Sequence, residues 1–238
     1  RALADVPGAP TVLERASGRA RAPDGLDDGD QVGFGAAPDA AIPVSMNGAV
    51  YMADVTGGQK TGLYFDQRPN HAFAASLSKG ARVLDMFSHV GGFGLAALAA
   101  DAASVLAVDG SAQALELAEQ GATAMNVSDR FVTRKGDAFD VLTALAEEGE
   151  TFDVVVCDPP AFAPSKPTLE AGLRAYERIA RLAAPLVADG QDATEEKPNQ
   201  AVPILRQPRD ASRVPDAYAP TPGRSNIVCA FRRTPLAP

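Results

Sequence analysis

Cysteine is scarce in this chain, with two in 238 residues, which is too few for a disulfide framework at this length and makes a reducing compartment the simpler reading. Histidine is as scarce. His71 and His89 are the only two, and they lie far from any metal-ligand spacing, so no zinc or other metal site is expected. No apolar run approaches the roughly 20 residues needed to cross a bilayer, and no signal-peptide pattern opens the chain. The expectation is a cytoplasmic protein without a membrane partner, and its first residue, Arg1 rather than Met, suggests a fragment or a processed chain. Positive charge is in the minority: a net charge of −8 argues against a protein coated in nucleic acid without excluding a local basic groove. From Val202 to Pro238 arginines stand at 206, 209, 213, 224, 232 and 233 against Asp210 and Asp216, so the tail is basic and the body more acidic than the total. Oligomeric state leaves no mark on the sequence.

What is present is a hydrophobic fraction of 46%, enough for one substantial α/β core. The organising stretch is RVLDMFSHVGGFGL, Arg82 to Leu95. Val83 and Leu84 lead into Asp85, a loop follows with Gly91, Gly92 and Gly94, and an Ala/Leu-rich helical stretch comes next. Such a strand, glycine loop and helix lets backbone approach a ligand and aims the free N–H groups of the helix N-terminus at it. A second apolar run, Val105 to Val108, ends in Asp109, about 24 residues beyond Asp85, the place of the carboxylate that grips a ribose diol in doubly wound nucleotide folds. The glycines read G-G-x-G rather than G-x-G-x-x-G, which disfavours a nicotinamide-dinucleotide enzyme.

Four segments follow from the order of the signals. Residues 1–41 read as irregular, with strand fragments at Thr11 to Leu13 and Gln31 to Phe34. Residues 42–60 open on a hairpin, IPVSMNGAVYMADV, in which Asn47-Gly48 supplies a type I′ turn and pairs Met46 with Ala49, Val44 with Tyr51 and Ile42 with Ala53 on one apolar face. Residues 61–188 form the main domain, beginning with a polar connection whose Gln67, Arg68, Asn70 and His71 serve either as an ordinary link or as a ligand-facing segment. Residues 189–238 are an atypical polar and basic tail, strandless over DGQDATEEKPNQ, with a last strand expected at 226–231. The fold class expected is α/β: a doubly wound, mostly parallel sheet with a small N-terminal β-hairpin element.

Two further positions carry chemistry. Asp137 follows the third strand in GDAF and either accepts from an adenine amino group or caps the helix starting near Ala138. The fourth strand, FDVVVCDPPAF, reads as buried on both faces, and Asp158-Pro159-Pro160 ends it at the carboxyl edge where open α/β sheets bind ligands. Two prolines fix the backbone there, so Asp158 is held rigidly.

With these residues in place, TGLYFDQR, DMFSHVGGFG, AVDGS, KGDAF and CDPPAFAPSK resemble the ordered motifs of a class I S-adenosylmethionine-dependent methyltransferase with a Rossmann-like sheet. Specifically they resemble the large-subunit (23S) rRNA methyltransferases that include the cytosine-C5 enzymes, over roughly Ile42 to Ala188. The resemblance implies S-adenosyl-L-methionine as cofactor, RNA and specifically rRNA as partner, and a role in rRNA processing. It places the methionine end of the cofactor on Asp85, Phe87, Ser88, His89, Gly91, Gly92 and Phe93, the ribose on Asp109 with Gly110 and Ser111, and the adenine on Asp137 and Ala138. It sets Gln67 and Arg68 along the cofactor side, and Asp158, Pro159, Pro160 and Phe162 against the target base.

Departures from the family pattern bear on the chemistry. An RNA-binding module ahead of the hairpin is missing, and so is the Ser-Cys-Ser segment of a fifth strand that supplies the nucleophile attacking C6 of cytosine. Neither Cys157 nor Cys229 replaces it, because Cys157 sits next to Asp158 on a strand and must point to the opposite face. Two function classes stay open: an active RNA methyltransferase, whose target could be an exocyclic amine, and a cofactor-binding remnant without catalysis.

Overall fold

The computed structural model describes residues 11–14, 31–57, 63–162 and 169–188, together with two strands at 201–204 and 228–232. Near the start, β1 (Val12–Glu14) and β2 (Gln31–Phe34) pair antiparallel, with the register broken between Val12 and Leu13. The two strand fragments in the segment expected to be irregular are therefore partners of one another. Next, β3 (Ile42–Met46) and β4 (Ala49–Ala53) form the hairpin with the expected register, Met46 opposite Ala49, Val44 opposite Tyr51 and Ile42 opposite Ala53. Its turn has φ of 53° at Asn47 and 77° at Gly48, the two left-handed positions that a type I′ turn requires.

The hairpin is docked on the main domain. Tyr51 is fully buried and its hydroxyl donates to the Gly92 carbonyl at 3.0 Å, while the Asn47 side-chain amide donates to the Arg68 carbonyl at 2.8 Å. After a 3-10 turn at Phe65–Gln67 comes α1 (Arg68–Ser76), with Pro69 in its first turn, where a missing N–H costs nothing.

Side-chain alternation on the central strands decides where the two cores lie. β5 (Arg82–Met86), β6 (Ser104–Asp109), β7 (Phe131–Lys135) and β8 (Val154–Cys157) run parallel. Val83, Val105, Val154 and Val156 pack on one face with α2 (Gly92–Ala99), α3 (Ala112–Ala124) and the hairpin. Leu84, Met86, Val108, Val155 and Cys157 pack on the other with α4 (Ala138–Glu147) and α5 (Leu169–Ala183). Both faces are covered, which is why the strands read as continuous apolar runs.

The six-stranded sheet has the order β7-β6-β5-β8-β10-β9, where β9 is Ala201–Ile204 and β10 is Val228–Arg232. β10 runs antiparallel to β8, with Cys229 opposite Cys157, and β9 antiparallel to β10. The last strand thus starts two residues later than expected and ends one later, and β9 is a strand the sequence reading did not anticipate within the tail; DGQDATEEKPNQ itself falls outside the described residues. Pro203 in β9 explains the miss, since proline argues against a strand except at a sheet edge, where β9 lies. Strand order reverses between β5 and β8, so the carboxyl ends at Met86 and Cys157 flank a topological switch point.

Candidate functional site

The loop leaving β5 is built around a buried acid. Asp85 is fully buried, and its Oδ2 accepts the Gly94 N–H at 2.8 Å. Burial raises its carboxyl to about 7; the bond from Gly94 opposes the rise, and the charges of Asp158 and Asp109 add to it. A Cβ on Gly94 would stand 2.8 Å from Val105 Cγ1 and 3.2 Å from that same Oδ2. Gly94 is therefore required for close helix–strand packing rather than for a ligand's approach.

Above Asp85 the backbone turns through left-handed conformations at Phe87 (φ 61°), His89 (φ 49°) and Gly91 (φ 81°). Two non-glycine residues in that region cost on the order of 1–3 kcal/mol each, and such strain concentrates at functional sites. Hydrogen bonds over-determine it. Ser88 N–H donates to the Val108 carbonyl at 3.0 Å, Gly91 N–H to Ser88 at 2.8 Å, and His89 N–H to Asp109 Oδ2 at 2.8 Å. Asp109 Oδ1 accepts the Ser111 N–H at 2.8 Å, and Ser111 Oγ caps α3 by accepting from Ala114. The Asp109 carboxylate thus clamps two loops while each oxygen keeps a second lone pair directed elsewhere.

These loops, the hairpin, the 3-10 turn and the end of β8 enclose a cavity of about 570 Å³, within the size range of small-molecule sites. Phe87, Ser88, His89, Gly92, Phe93, Asp109, Gly110, Ser111, Gln67, Asp158, Pro159 and Pro160 all line it. Asp158 Oδ1, Ser88 Oγ and His71 Nδ1 are buried polar atoms on its lining residues with no partner among the described residues, and Asp85 Oδ1 beneath the loop is a fourth. Buried polar atoms are nearly always satisfied, so the three on the cavity's lining residues are open to a ligand or to water. Burial raises the Asp158 carboxyl to about 7, and the charge of Asp66 pushes it the same way. Burial also holds the His71 imidazole down at about 4, against the opposing pull of Asp66, so the ring is neutral.

A second cavity of about 200 Å³ adjoins the first, sharing Phe87, Asp109 and Gly110 and adding Asp137 and Ala138. Asp137 Oδ1 accepts the Phe139 and Asp140 N–H groups at 2.9 and 3.3 Å and so caps α4. Of its two sequence readings the cap is realised in the bonding, and the residue also borders the second cavity.

Other expected residues stand elsewhere. Arg68 is exposed and outside the cavity lining, because the step from the 3-10 turn into α1 turns Gln67 inward, bonded to Asn70 at 2.6 Å, and the next side chain outward. Asp85 and Gly91 support the loop from beneath rather than lining the cavity. Phe162 is half-buried in a ring cluster: its ring lies 5.0, 6.2 and 6.4 Å from those of Tyr176, Phe139 and Phe87, and its N–H donates to the Tyr176 hydroxyl at 3.3 Å. Cavity residues not singled out as ligand contacts include Tyr51, Asp54, Tyr64 and Gln113. Tyr64 stands edge-on to His89 at 5.4 Å, and Gln113 Nε2 donates to Asp54 Oδ2 at 3.2 Å across the seam between α3 and the hairpin. Tyr64 carried one signal, its place in TGLYFDQR beside Gln67.

Parallel strands covered by helices on both faces, with the cavity at the switch point, define a doubly wound, Rossmann-like domain. The chain belongs to the family described as Conserved hypothetical protein 95, whose model matches residues 70–189. It is 39% identical over 183 residues to Ribosomal RNA large subunit methyltransferase I of Aeromonas hydrophila, which covers 76% of this chain and 46% of that protein. The chain therefore spans about half the length of the curated relatives it matches. Among solved structures, the SAM-dependent methyltransferase from Agrobacterium tumefaciens superposes with a TM-score of 0.59 at 18% identity, over 76% of this chain and 56% of that one. The protein SMU.776, complexed with SAH, superposes with a TM-score of 0.64 at 19% identity, over 85% of this chain and 58% of that one. At these identities the likeness is one of fold, and it is the fold expected from the sequence.

Proposed function

We propose that this chain is an S-adenosylmethionine-dependent methyltransferase acting on RNA, with large-subunit ribosomal RNA as its substrate. The observation that carries the reading is Asp158, whose Oδ1 is buried without a partner among the described residues at the switch point of a cavity of about 570 Å³. An unpaired buried carboxylate is costly, and a ligand bearing positive charge relieves it. The cofactor fits that demand: it carries a sulfonium and an ammonium, a ribose diol for Asp109, and an adenine for the second cavity, where Asp137 keeps Oδ2 after capping α4 with Oδ1. When bound, the sulfonium supplies an electrophilic methyl group.

The chain's own part is positioning. Pro159 and Pro160 fix the strand end, and the Asp158 N–H reaches the Met86 carbonyl at 3.4 Å, so the carboxylate stays at the sheet's edge. There it holds an amine of the target base by accepting its N–H, and takes up the proton that the nitrogen sheds once the methyl group has been transferred to it. An exocyclic amine is favoured over cytosine C5 because Cys157 lies in the α4/α5 core, away from the cavity.

Tritiated S-adenosylmethionine and deproteinised ribosomal RNA test the reading. Transfer of label to RNA by the parent, lost in Asp158→Asn, is the expected result. Cofactor binding without transfer to any RNA would leave a cofactor-binding remnant, and absence of cofactor binding would overturn the assignment.

A further inference from the structure

The 3-10 turn and α1 have two faces with opposite characters. Gln67, His71, Ala74 and Ala75 are buried, and Gln67 and His71 line the cavity with the adjoining Tyr64. The outer face repeats at the helical spacing 65, 68, 69, 72, 73 and 76, and every one of those residues is exposed. It includes two large rings left in solvent, Phe65 at 53% exposure and Phe73 at 41%. Between them stands Arg68, whose guanidinium has no ion-pair or hydrogen-bond partner among the described residues.

We propose that this outer face is a stacking platform for the single-stranded RNA that flanks the methylated nucleotide. The inference rests on the function proposed above. A base can enter the cavity only past the elements that form its mouth, and this element forms one wall of it, so the neighbouring nucleotides run over its outer side. Aromatic faces stack any base, and an unpaired guanidinium neutralises a phosphate; the combination is what sequence-tolerant single-strand binding uses. A protein partner carrying a carboxylate would suit the rings and Arg68 equally well; RNA is the occupant chosen because the element that bears this face also walls the cavity in which the proposed substrate base is held. Because no base edge is read here, the platform fixes where the strand lies and leaves the choice of base to the cavity.

Fluorescence anisotropy with a fluorescein-labelled single-stranded RNA of about 12 nucleotides, a length within the usual single-strand site sizes, tests this on the full chain. Phe65→Ala and Phe73→Ala should each weaken binding about tenfold, Phe65→Tyr should retain it, and Arg68→Ala should lower the log–log salt slope by about one. Calorimetric affinity for S-adenosylmethionine should be unchanged in the two Phe→Ala variants. Equal RNA affinity in parent and Phe variants, or no RNA binding by the parent, would overturn the proposal. So would a change in self-association with RNA binding unaltered, which would make the face a protein contact. Phe65-dependent RNA binding without any affinity for the cofactor would instead sink the cofactor reading and leave the platform standing.

Discussion

The backbone N–H of His89 lies 2.8 Å from Oδ2 of Asp109, so the carboxylate proposed to grip the ribose also holds the strained loop that walls the cavity. Replacing it removes both functions at once.

Asp109→Ala should therefore weaken S-adenosylmethionine binding by about 1.5–3 kcal/mol, the range for hydrogen bonds to a charged group. It should also lower the denaturation midpoint of the ligand-free chain, since His89 and Ser111 lose their acceptor. Isothermal calorimetry and urea unfolding read the two effects separately. Unchanged affinity with lowered stability would mean that Asp109 serves the loop alone.

The acids of the site fix a pH dependence. The folded-state carboxyl of Asp158 is raised to about 7, above an unfolded value near 4, so the native state binds more protons in that window and stability falls as pH rises through it. Asp85, raised to about 7, acts in the same direction. His71 acts oppositely: its folded value is lowered to about 4, so between there and its unfolded value near 6.5 stability rises with pH. A difference experiment isolates Asp158. Ligand-free Asp158→Asn should be more stable than the parent at pH 8, with the gap narrowing toward pH 5, in urea titrations. A gap independent of pH would show that the carboxylate is not the source.

Glycine substitutions separate packing from ligand space. A Cβ at Gly121 would meet the Val50 carbonyl oxygen and Leu95 Cδ1, both at 2.8 Å, so Gly121→Ala must push the hairpin off α3. The expected cost is about 1–3 kcal/mol, the range for overpacking. At Gly110 the nearest atom to a new Cβ is the Gly136 carbonyl oxygen at 4.0 Å. Gly110→Ala should leave the thermal midpoint close to the parent's, although Gly110 borders both cavities. Equal losses in the two variants would refute this division.

Local chemistry made much of this fold legible. Asn47-Gly48 with period-two apolar residues gave the hairpin and its register, because turn type and side-chain alternation both act over a few residues. Val154 to Cys157 announced a strand buried on both faces. What stayed hidden depends on partners distant in sequence. Whether Gln67 or Arg68 faces the cavity is set by the phase at which a 3-10 turn becomes α1. The ring cluster around Phe162 draws Tyr176 from α5. Tyr51 and Asp54 reach the cavity only because the hairpin docks at Gly121, which in a helix otherwise reads as a mere weakness.

Cysteine chemistry gives the last prediction. Methylation at cytosine C5 requires prior addition of a thiolate to C6, since C5 is not nucleophilic until that bond forms. Cys157 is 1% exposed and packed with Leu84, Met86 and Val155 beneath α4 and α5, on the face of β8 opposite Val154 and Val156, whose side turns toward α2 and α3. A thiol packed there has no path to a base seated at Asp158. RNA containing 5-fluorocytosine should therefore form no denaturation-resistant adduct with this chain, even with S-adenosylmethionine bound, whereas transfer to an amine involves no covalent step and should proceed. An adduct that forms in the parent and is lost in Cys157→Ser or in Cys229→Ser would overturn the structural reading of that cysteine and return the target to cytosine C5.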